Sequence, residues 1–223
     1  MMDEELWTDV DKYLVSLLAP SDHFLDDALS DSDAAGLPPI NVAPNQGRLL
    51  ELLAKGHGAQ RILEIGTLGG YSTIWLARSL PEGGRLISLE LEAKHAEVAR
   101  VNIDRAGLGS LVEIRVGPAA ASLRDMVTEK VEPFDFIFID ADKVGYPEYF
   151  ALSMQLSRVG TMIIADNVVR GGEIANRLSA DERVQGVRRF LELAAAEDRV
   201  EGTAVQTVGS KGYDGFAMLL VTR

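Results

Sequence analysis

The chain has 223 residues, of which 47% are hydrophobic, so one globular domain with a substantial buried core is expected. A formal net charge of −12 and the lack of a basic stripe disfavour nucleic acid as a substrate or partner. The absence of cysteine excludes disulfides, zinc–thiolate sites and thiol catalysis.

The N-terminal region predicts a helical cap, residues 1–40, ahead of the core, residues 41–223. Apolar residues recur at helical spacing over Leu6–Leu18, and further helices are predicted over Asp22–Ala35 and Pro44–Lys55. The Leu6–Leu18 stripe is interpreted as intramolecular packing, and a contact with a partner helix, as in a dimer, is the alternative. An acidic start to the chain is unlike a secretory signal, and no apolar run approaches the roughly 20 residues that span a bilayer. A cytoplasmic protein that is not associated with membranes is therefore expected.

Strands and helices alternate from Arg61 onward. The predicted strands are Arg61–Ile65, Arg85–Leu89, Val112–Val116, Phe134–Ile139 and Thr161–Ala165, then Thr203–Val208 and Phe216–Val221. Helices separate the first five strands, whereas the last two follow each other directly. Repeated strand–helix units predict an α/β fold with a mostly parallel sheet and helices on both faces. The final hairpin adds an antiparallel strand.

Polar side chains follow the fourth and the fifth predicted strands. Asp140 and Lys143 come after the fourth strand, and Asp166 and Asn167 end the fifth. Hard oxygen donors gathered at strand ends can hold a divalent cation such as Mg²⁺. A lysine beside a bound cation can act as a base, because the cation lowers the pKa of an amine. The role of Asp142 is left open: it is either a partner of the metal ligands or a solvated charge.

A glycine-rich turn follows the first strand and predicts a nucleotide-like cofactor. Gly66 lets backbone approach a ligand closely, and Glu90 at the end of the second strand can accept hydrogen bonds from ribose hydroxyls. A dinucleotide site requires the spacing G-x-G-x-x-G, which this turn lacks. Glu64 would repel a pyrophosphate but could serve the cationic end of an amino acid. The turn favours S-adenosylmethionine (SAM) over a nicotinamide cofactor, and an ordinary turn without a ligand is the remaining interpretation.

Four segments together resemble the cation-dependent SAM O-methyltransferases of the catechol and caffeoyl-CoA type. They are Leu63–Ser72, Glu90, Phe138–Lys143 and Ala165–Val168, in the order and spacing of that family. The resemblance covers residues 40 to 223 and implies a Rossmann-like sheet of seven strands with the last ones antiparallel. Asp142 matches the plant and bacterial branch, since the animal catechol branch has a tryptophan there.

The resemblance also implies roles for single positions. Lys143 would be the general base, with Asp140 beside it in the catalytic set. The implied metal ligands are Asp140, Asp166 and Asn167. The implied SAM contacts are Val42, Glu64, Gly66, Tyr71, Ser72, Glu90, Ala119 and Asp140. A homodimer is implied by analogy with relatives. Tyr146 and Tyr149 are expected in packing or at the surface, and Arg188 on a solvated helix face.

The sequence therefore predicts transfer of a methyl group from SAM to a hydroxyl of a small aromatic acceptor, catechol-like or caffeoyl-type. Mg²⁺ or another divalent cation would stabilise the ionised acceptor oxygen. Two alternatives remain: an NAD-type oxidoreductase that uses Glu90 for ribose, and a non-enzymatic SAM-binding protein. Acceptor selectivity is expected in residues 1–40, in the loop Val168–Glu182 and in the turn Gly209–Gly215, because loops carry such variation.

Overall fold

The computed structural model describes residues 2–223, with side chains from Glu4 onward; Met1, the first residue of the predicted cap, lies outside the described residues. Two compact units make up the chain. The first ends at Pro118 and includes Gly209–Lys211, and the second comprises Ala119–Val208 and Gly212–Arg223. The single domain expected from the sequence stays a prediction. Within residues 2–223, no helix combines the length and the apolar character needed to cross a membrane.

Three helices open the first unit: α1 (Met2–Leu18), α2 (His23–Ala34) and α3 (Pro44–His57). Helix α2 begins where it does because the carboxylate of Asp22 accepts hydrogen bonds from the N–H groups of Phe24 and Leu25, at 3.0 and 3.2 Å. Helix α3 ends at Gly58, whose φ of 71° suits a residue without a side chain. The helical content predicted for the N-terminal cap is thus present.

One face of α1 is apolar and exposed. Its large apolar side chains are between 41% and 73% exposed: Leu6, Val10, Tyr13, Leu14, Leu17 and Leu18. The prediction that this stripe packs intramolecularly is wrong for these side chains. Helix α1 instead turns a different face inward, where Asp11 is buried.

Asp11 connects three distant parts of the first unit. Its Oδ1 accepts a hydrogen bond from Nδ2 of Asn45, in α3, at 2.9 Å. Its Oδ2 accepts the backbone N–H of Ser210 at 2.8 Å, across a sequence separation of 199 residues. A side chain at Gly209 would collide with this carboxylate, since an added Cβ would lie 2.3 Å from Oδ2. The turn at 209–211 is therefore fastened to the first helix.

The sheet strands of the first unit are β1 (Arg61–Ile65), β2 (Arg85–Glu90) and β3 (Val112–Val116). They are parallel, in the order β3-β2-β1, and are connected through α4 (Tyr71–Ala77) and α5 (Ala93–Arg105). Ile65 at the end of β1 pairs with Leu89 of β2. The turn after β1 and Glu90 at the end of β2 consequently lie at the same edge.

The second unit begins with α6 (Ala119–Glu129), β4 (Phe134–Ile139), a 3₁₀ helix (Lys143–Gly145) and α7 (Tyr146–Gln155). It continues with β5 (Ser157–Asp166), a 3₁₀ helix (Arg170–Ala175), α8 (Glu182–Ala196), β6 (Val200–Gly209) and β7 (Gly212–Val221). Its strand order is β4-β5-β7-β6, with β4 parallel to β5 and β7 antiparallel to β5.

The predicted fold class is confirmed. The seven strands belong to a mixed, mostly parallel sheet with antiparallel C-terminal strands, surrounded by helices. Strand β4 is buried at every position, which is typical of a central parallel strand covered on both faces. The clearest differences from the prediction are the starts of β5 and β7, at Ser157 and Gly212 rather than at Thr161 and Phe216.

Candidate functional site

The turn after β1 adopts a conformation that few residues tolerate. Gly66 and Gly70 have φ values of 103° and 85°. Leu68 between them has a φ of 50°, which is costly for a residue with a branched side chain. A Cβ at Gly70 would lie 3.3 Å from the backbone of Ala99, so glycine also permits the close approach of α5.

Glu90 holds this turn in place. Its Oε2 accepts hydrogen bonds from the N–H groups of Thr67 and Leu68, at 3.1 and 2.8 Å. Its Oε1 accepts the N–H of Glu92 at 2.9 Å and lies 3.3 Å from Nδ1 of His95. A carboxylate has about four lone-pair sites. Oε2 already accepts two hydrogen bonds and Oε1 accepts one, so a ribose hydroxyl would have to bind at Oε1, beside His95.

Glu64 lies beneath the turn and is fully buried. Its carboxylate accepts hydrogen bonds from the hydroxyls of Ser72, Thr73 and Ser88, at 2.6, 2.5 and 2.7 Å. These contacts join the end of β1 to the start of α4 and to β2. Burying a carboxylate requires such partners. The side chain thus has a structural task, and the predicted contacts of Glu64 and Ser72 with SAM stay predictions.

The other predicted SAM contacts are distributed over both units. Val42 and Tyr71 are buried in the first unit, and the ring of Tyr71 packs edge-on against Trp75 with centroids 6.4 Å apart. Ala119 is the first residue of α6, in the second unit. The structure brings Gly66 and Glu90 to one edge of the first unit, and Asp140 belongs to the second.

The register of β4 and β5 places the predicted metal ligands side by side. Ile139 pairs with Ala165 in these parallel strands, so Asp140, which follows the end of β4, and Asp166, the last residue of β5, lie at the same edge of the sheet. Neighbouring strands are about 4.8 Å apart. Oδ1 of Asp166 accepts the N–H of Asn167 at 2.8 Å, and Asn167 has a φ of 54°.

The donor set at this edge fits a hard dication. Two carboxylates, from Asp140 and Asp166, and the amide oxygen of Asn167 are ligands that Mg²⁺ and Ca²⁺ prefer. Across the described part of the chain, no three His, Asp or Glu side chains are grouped as a metal site. A cation here would therefore have only two charged protein ligands, with coordination positions left for substrate and water.

Lys143 is buried in the second unit, with only 7% exposure. Its Nζ lies 2.9 Å from Oδ1 of Asp140 and 2.7 Å from the hydroxyl of Tyr146. Helix α8 packs closely here because Gly186 has no side chain: an added Cβ would lie 2.2 Å from the carbonyl oxygen of Lys143. The amine is held at the site rather than in solvent.

Asp142 is exposed, which agrees with the solvated charge that was one of its two open roles, and it also stabilises the local structure. Its Oδ2 accepts the N–H of Gly145 at 2.8 Å, which caps the 3₁₀ helix that carries Lys143. Its Oδ1 accepts the hydroxyl of Tyr149. Burial, reinforced by the hydrogen bond to this carboxylate, raises the pKa of Tyr149 above its ordinary value. Asp142 therefore fixes the backbone turn beside the base.

Tyr146 is a site residue that the sequence analysis missed. Its hydroxyl is fully buried and contacts Lys143, Ile139 and Asp166. Burial, with a further contribution from the carboxylates of Asp140 and Asp166, raises the pKa of Tyr146 well above its ordinary value. A tyrosine three residues after the lysine was the available signal, since that spacing brings side chains together on a helical turn.

The segment after β5 is fastened at two points. Oδ1 of Asp214, in β7, accepts the N–H groups of Val169 and Arg170, both at 2.9 Å. Arg188 of α8 donates from Nη2 to the carbonyl oxygen of Ile174 at 2.9 Å. The expectation that Arg188 lies on a solvated helix face is wrong, because its guanidinium is used to hold this backbone.

Comparison with known proteins gives consistent matches over nearly the whole chain. A family model described as O-methyltransferase matches residues 20–219. A catechol O-methyltransferase of Niastella koreensis is 50% identical over 220 residues, covering 99% of this chain and 100% of that protein. A catechol O-methyltransferase of Mycobacterium tuberculosis is 49% identical over 213 residues, covering 96% and 95%. The crystal structure of an O-methyltransferase from Bacillus cereus in complex with SAH matches with a TM-score of 0.96 at 58% identity, covering 98% of this chain and 99% of that chain.

Proposed function

The chain belongs to the O-methyltransferase family, and from this premise we propose that it transfers the methyl group of SAM to a hydroxyl of a small aromatic acceptor with vicinal hydroxyls. We propose further that the reaction depends on Mg²⁺ or another divalent cation. The observation that carries the proposal is the pairing of Ile139 with Ala165, which aligns Asp140 and Asp166. Two relatives named as catechol O-methyltransferases support a catechol-like acceptor. Family membership does not favour the oxidoreductase or the non-enzymatic alternative.

The first unit supplies most of the groups that would hold SAM, which contributes an electrophilic methyl group when bound. Glu90 would accept a ribose hydroxyl through Oε1, beside His95. The backbone at Gly66 would approach the ligand closely, because no Cβ is in the way. The hydroxyls bonded to Glu64 keep the start of α4 in place.

The second unit supplies the groups that would activate the acceptor. A phenol has a pKa of about 10 and is mostly protonated at neutral pH, so a proton acceptor is needed. A divalent cation held by Asp140, Asp166 and Asn167 would stabilise the ionised oxygen as a Lewis acid. Lys143 would take the proton of the reacting hydroxyl, and a positioned general base typically accelerates a reaction by about 10²–10⁴. Asp140 and Tyr146 keep the amine in place for that task.

We propose that the exposed apolar face of α1 forms a homodimer contact. Large apolar side chains at 41–73% exposure on one helix face are costly to leave in water. Light scattering after size exclusion should give the mass of a dimer for the natural protein and that of a monomer for Leu14→Asp. Exposed Lys94→Asp is the matched control. A monomeric natural protein would contradict this contact. The cytoplasmic location stays a prediction.

The function is tested with labelled SAM and a panel of catechols, caffeoyl esters and flavonoids. We expect methylated product with Mg²⁺ and a loss of product after complete chelation, restored by added cation. Calorimetric titration should show binding of SAM and not of NAD. Full turnover after chelation would show that the reaction does not require a divalent cation. Binding of NAD without binding of SAM would overturn the proposed reaction.

A further inference from the structure

Tyr146 occupies a fixed position between two strand ends and the proposed base. Its hydroxyl lies 2.7 Å from Nζ of Lys143, 3.0 Å from the carbonyl oxygen of Ile139 and 2.9 Å from that of Asp166. Its ring is fully buried and packs edge-on against Phe190, with centroids 5.8 Å apart. The phenol therefore has little freedom to move away from these partners.

The direction of each hydrogen bond follows from the chemistry of the groups. A carbonyl oxygen can only accept, so the hydroxyl of Tyr146 donates its proton toward Ile139 or Asp166. Its oxygen lone pairs are then left for Lys143, whose amine donates an N–H to Tyr146. A second N–H of Lys143 is donated to Oδ1 of Asp140.

Nitrogen Nζ is tetrahedral, and three of its four directions are thus occupied, by Cε, Asp140 and Tyr146. We propose that Tyr146 is a positioning residue that fixes the one remaining direction, along which Lys143 accepts the proton of the acceptor hydroxyl. This inference rests on the proposed function. A neutral amine keeps two N–H bonds, which remain directed at Asp140 and Tyr146, so its lone pair occupies the fourth direction. Without the phenol, Nζ can rotate, and the lone pair points toward the acceptor only part of the time.

The test is Tyr146→Phe, with Tyr149→Phe as the matched control. Both tyrosines belong to α7, but the hydroxyl of Tyr149 contacts Asp142 and not the base. We expect Tyr146→Phe to lower kcat about 10- to 100-fold, since a misplacement of about 1 Å can cost 10²-fold. The KM values of SAM and acceptor should change less than about twofold, because orientation acts on the chemical step. Tyr149→Phe should keep kcat within about twofold of the natural protein.

A double-variant cycle shows whether Tyr146 acts through Lys143. In a Lys143→Met background, Tyr146→Phe should cause no further loss of kcat, because there is no amine left to orient. An equal loss in both backgrounds would overturn the proposal, and so would an unchanged kcat in Tyr146→Phe. If Tyr146→Phe does not fold, Tyr146→4-aminophenylalanine replaces it. That side chain still donates to the carbonyls of Ile139 and Asp166 but accepts poorly from Lys143, so kcat should fall while the fold is kept.

A measurement without SAM or metal separates this inference from the proposed function. Nuclear magnetic resonance of ¹⁵N-lysine protein should show slowly exchanging Nζ protons for Lys143 in the natural protein and in Tyr149→Phe. These signals should be lost in Tyr146→Phe. Retained signals would contradict the positioning role even if methyl transfer is found. If the signals are lost in Tyr146→Phe but the natural protein methylates no acceptor, the contact between Tyr146 and Lys143 is supported and the proposed reaction is contradicted.

Discussion

Oε2 of Glu90, at the end of β2, accepts the backbone N–H of Leu68 at 2.8 Å in the turn after β1. Leu68 has a φ of 50°, a conformation that costs free energy and persists only where neighbouring groups maintain it. One carboxylate therefore maintains the shape of the turn and is also the predicted ribose acceptor.

Glu90→Ala should weaken SAM binding about 10- to 100-fold, because each hydrogen bond to a charged group contributes about 1.5–3 kcal/mol. Calorimetric titration of SAM into the purified variant measures this loss. Glu92→Ala is the control, since Glu92 is exposed and its side chain does not cap the following helix. A dissociation constant within about twofold of the natural value would rule out the ribose contact.

Lys143→Met should lower kcat by about 10²–10⁴, the usual range for loss of a general base, while SAM binding is retained. Methionine keeps the length and the apolar stem of the side chain, so packing beside Tyr146 changes little. Steady-state kinetics across pH measures the effect. Lys94→Met changes an exposed lysine and should leave kcat as it is. An unchanged rate and pH profile in Lys143→Met would exclude Lys143 as the base.

Asp166→Ala should reduce turnover to the level of the chelated natural protein, because one of two charged metal ligands is lost. Its SAM affinity should stay within about twofold, which distinguishes metal loss from unfolding. Stimulation of turnover by titrated Mg²⁺ is the measurement. Asp198→Ala removes an exposed carboxylate of the same charge and should respond to Mg²⁺ like the natural protein. Metal stimulation that survives in Asp166→Ala would place the cation elsewhere.

Asp214→Ala should loosen the segment after β5, since two backbone N–H groups lose their acceptor. We expect the free energy of unfolding to fall by about 1–3 kcal/mol and the KM of the acceptor to rise, with SAM affinity unchanged. Denaturant titration and kinetics measure the two effects. Asp214→Asn retains an oxygen acceptor and should be less affected. An unaltered acceptor KM in Asp214→Ala would separate this segment from acceptor binding.

Asp22→Ala should lower the free energy of unfolding by about 1 kcal/mol at neutral pH, through loss of the cap of α2. Burial raises the pKa of Asp22, but Arg78 and the capped N–H groups outweigh it, so the pKa lies below its ordinary value. A lowered folded-state pKa stabilises the fold above the unfolded pKa of about 4, and this stabilisation is lost as pH falls through the folded value.

The stability difference between natural protein and Asp22→Ala should therefore shrink on acidification from about pH 7 to about pH 2. Urea titration at several pH values measures it. Asp125→Ala, an exposed carboxylate within α6, provides the baseline for nonspecific effects of charge. A difference that is constant over this pH range would show that the ionised form of Asp22 contributes nothing to the cap.

The fold could be predicted because its strands carry a strong local signal. Phe134–Ile139 is apolar apart from Asp135, and the structure has a strand with those bounds. The start of β5 was less predictable. Ser157 pairs with the first residue of β4 through a register irregularity that no local sequence pattern encodes. The placement of Asp140 and Asp166 also followed from the sequence, because parallel neighbouring strands end at one edge.

Two of the residues that the sequence did not predict, Asp214 and Arg188, make contacts with residues far from them in the sequence. Asp214 and Arg188 hold a backbone segment that precedes them by 45 and 14 residues, and nothing in a local window indicates such contacts. Tyr146 had a local signal in its spacing from Lys143, but tyrosine is common in cores, and only its hydrogen bonds distinguish it. The face of α1 was misjudged because amphipathic spacing indicates a helix without telling what covers it.

The contact between Asp11 and Ser210 has a consequence for the order in which the protein folds. Asp11 and Ser210 are separated by 199 residues. Closing so long a loop costs conformational entropy, so contacts of this kind form after the more local elements. Until the turn at 209–211 arrives, the carboxylate of α1 lacks one of its two partners, so we expect full docking of the first helix to be a late step of folding.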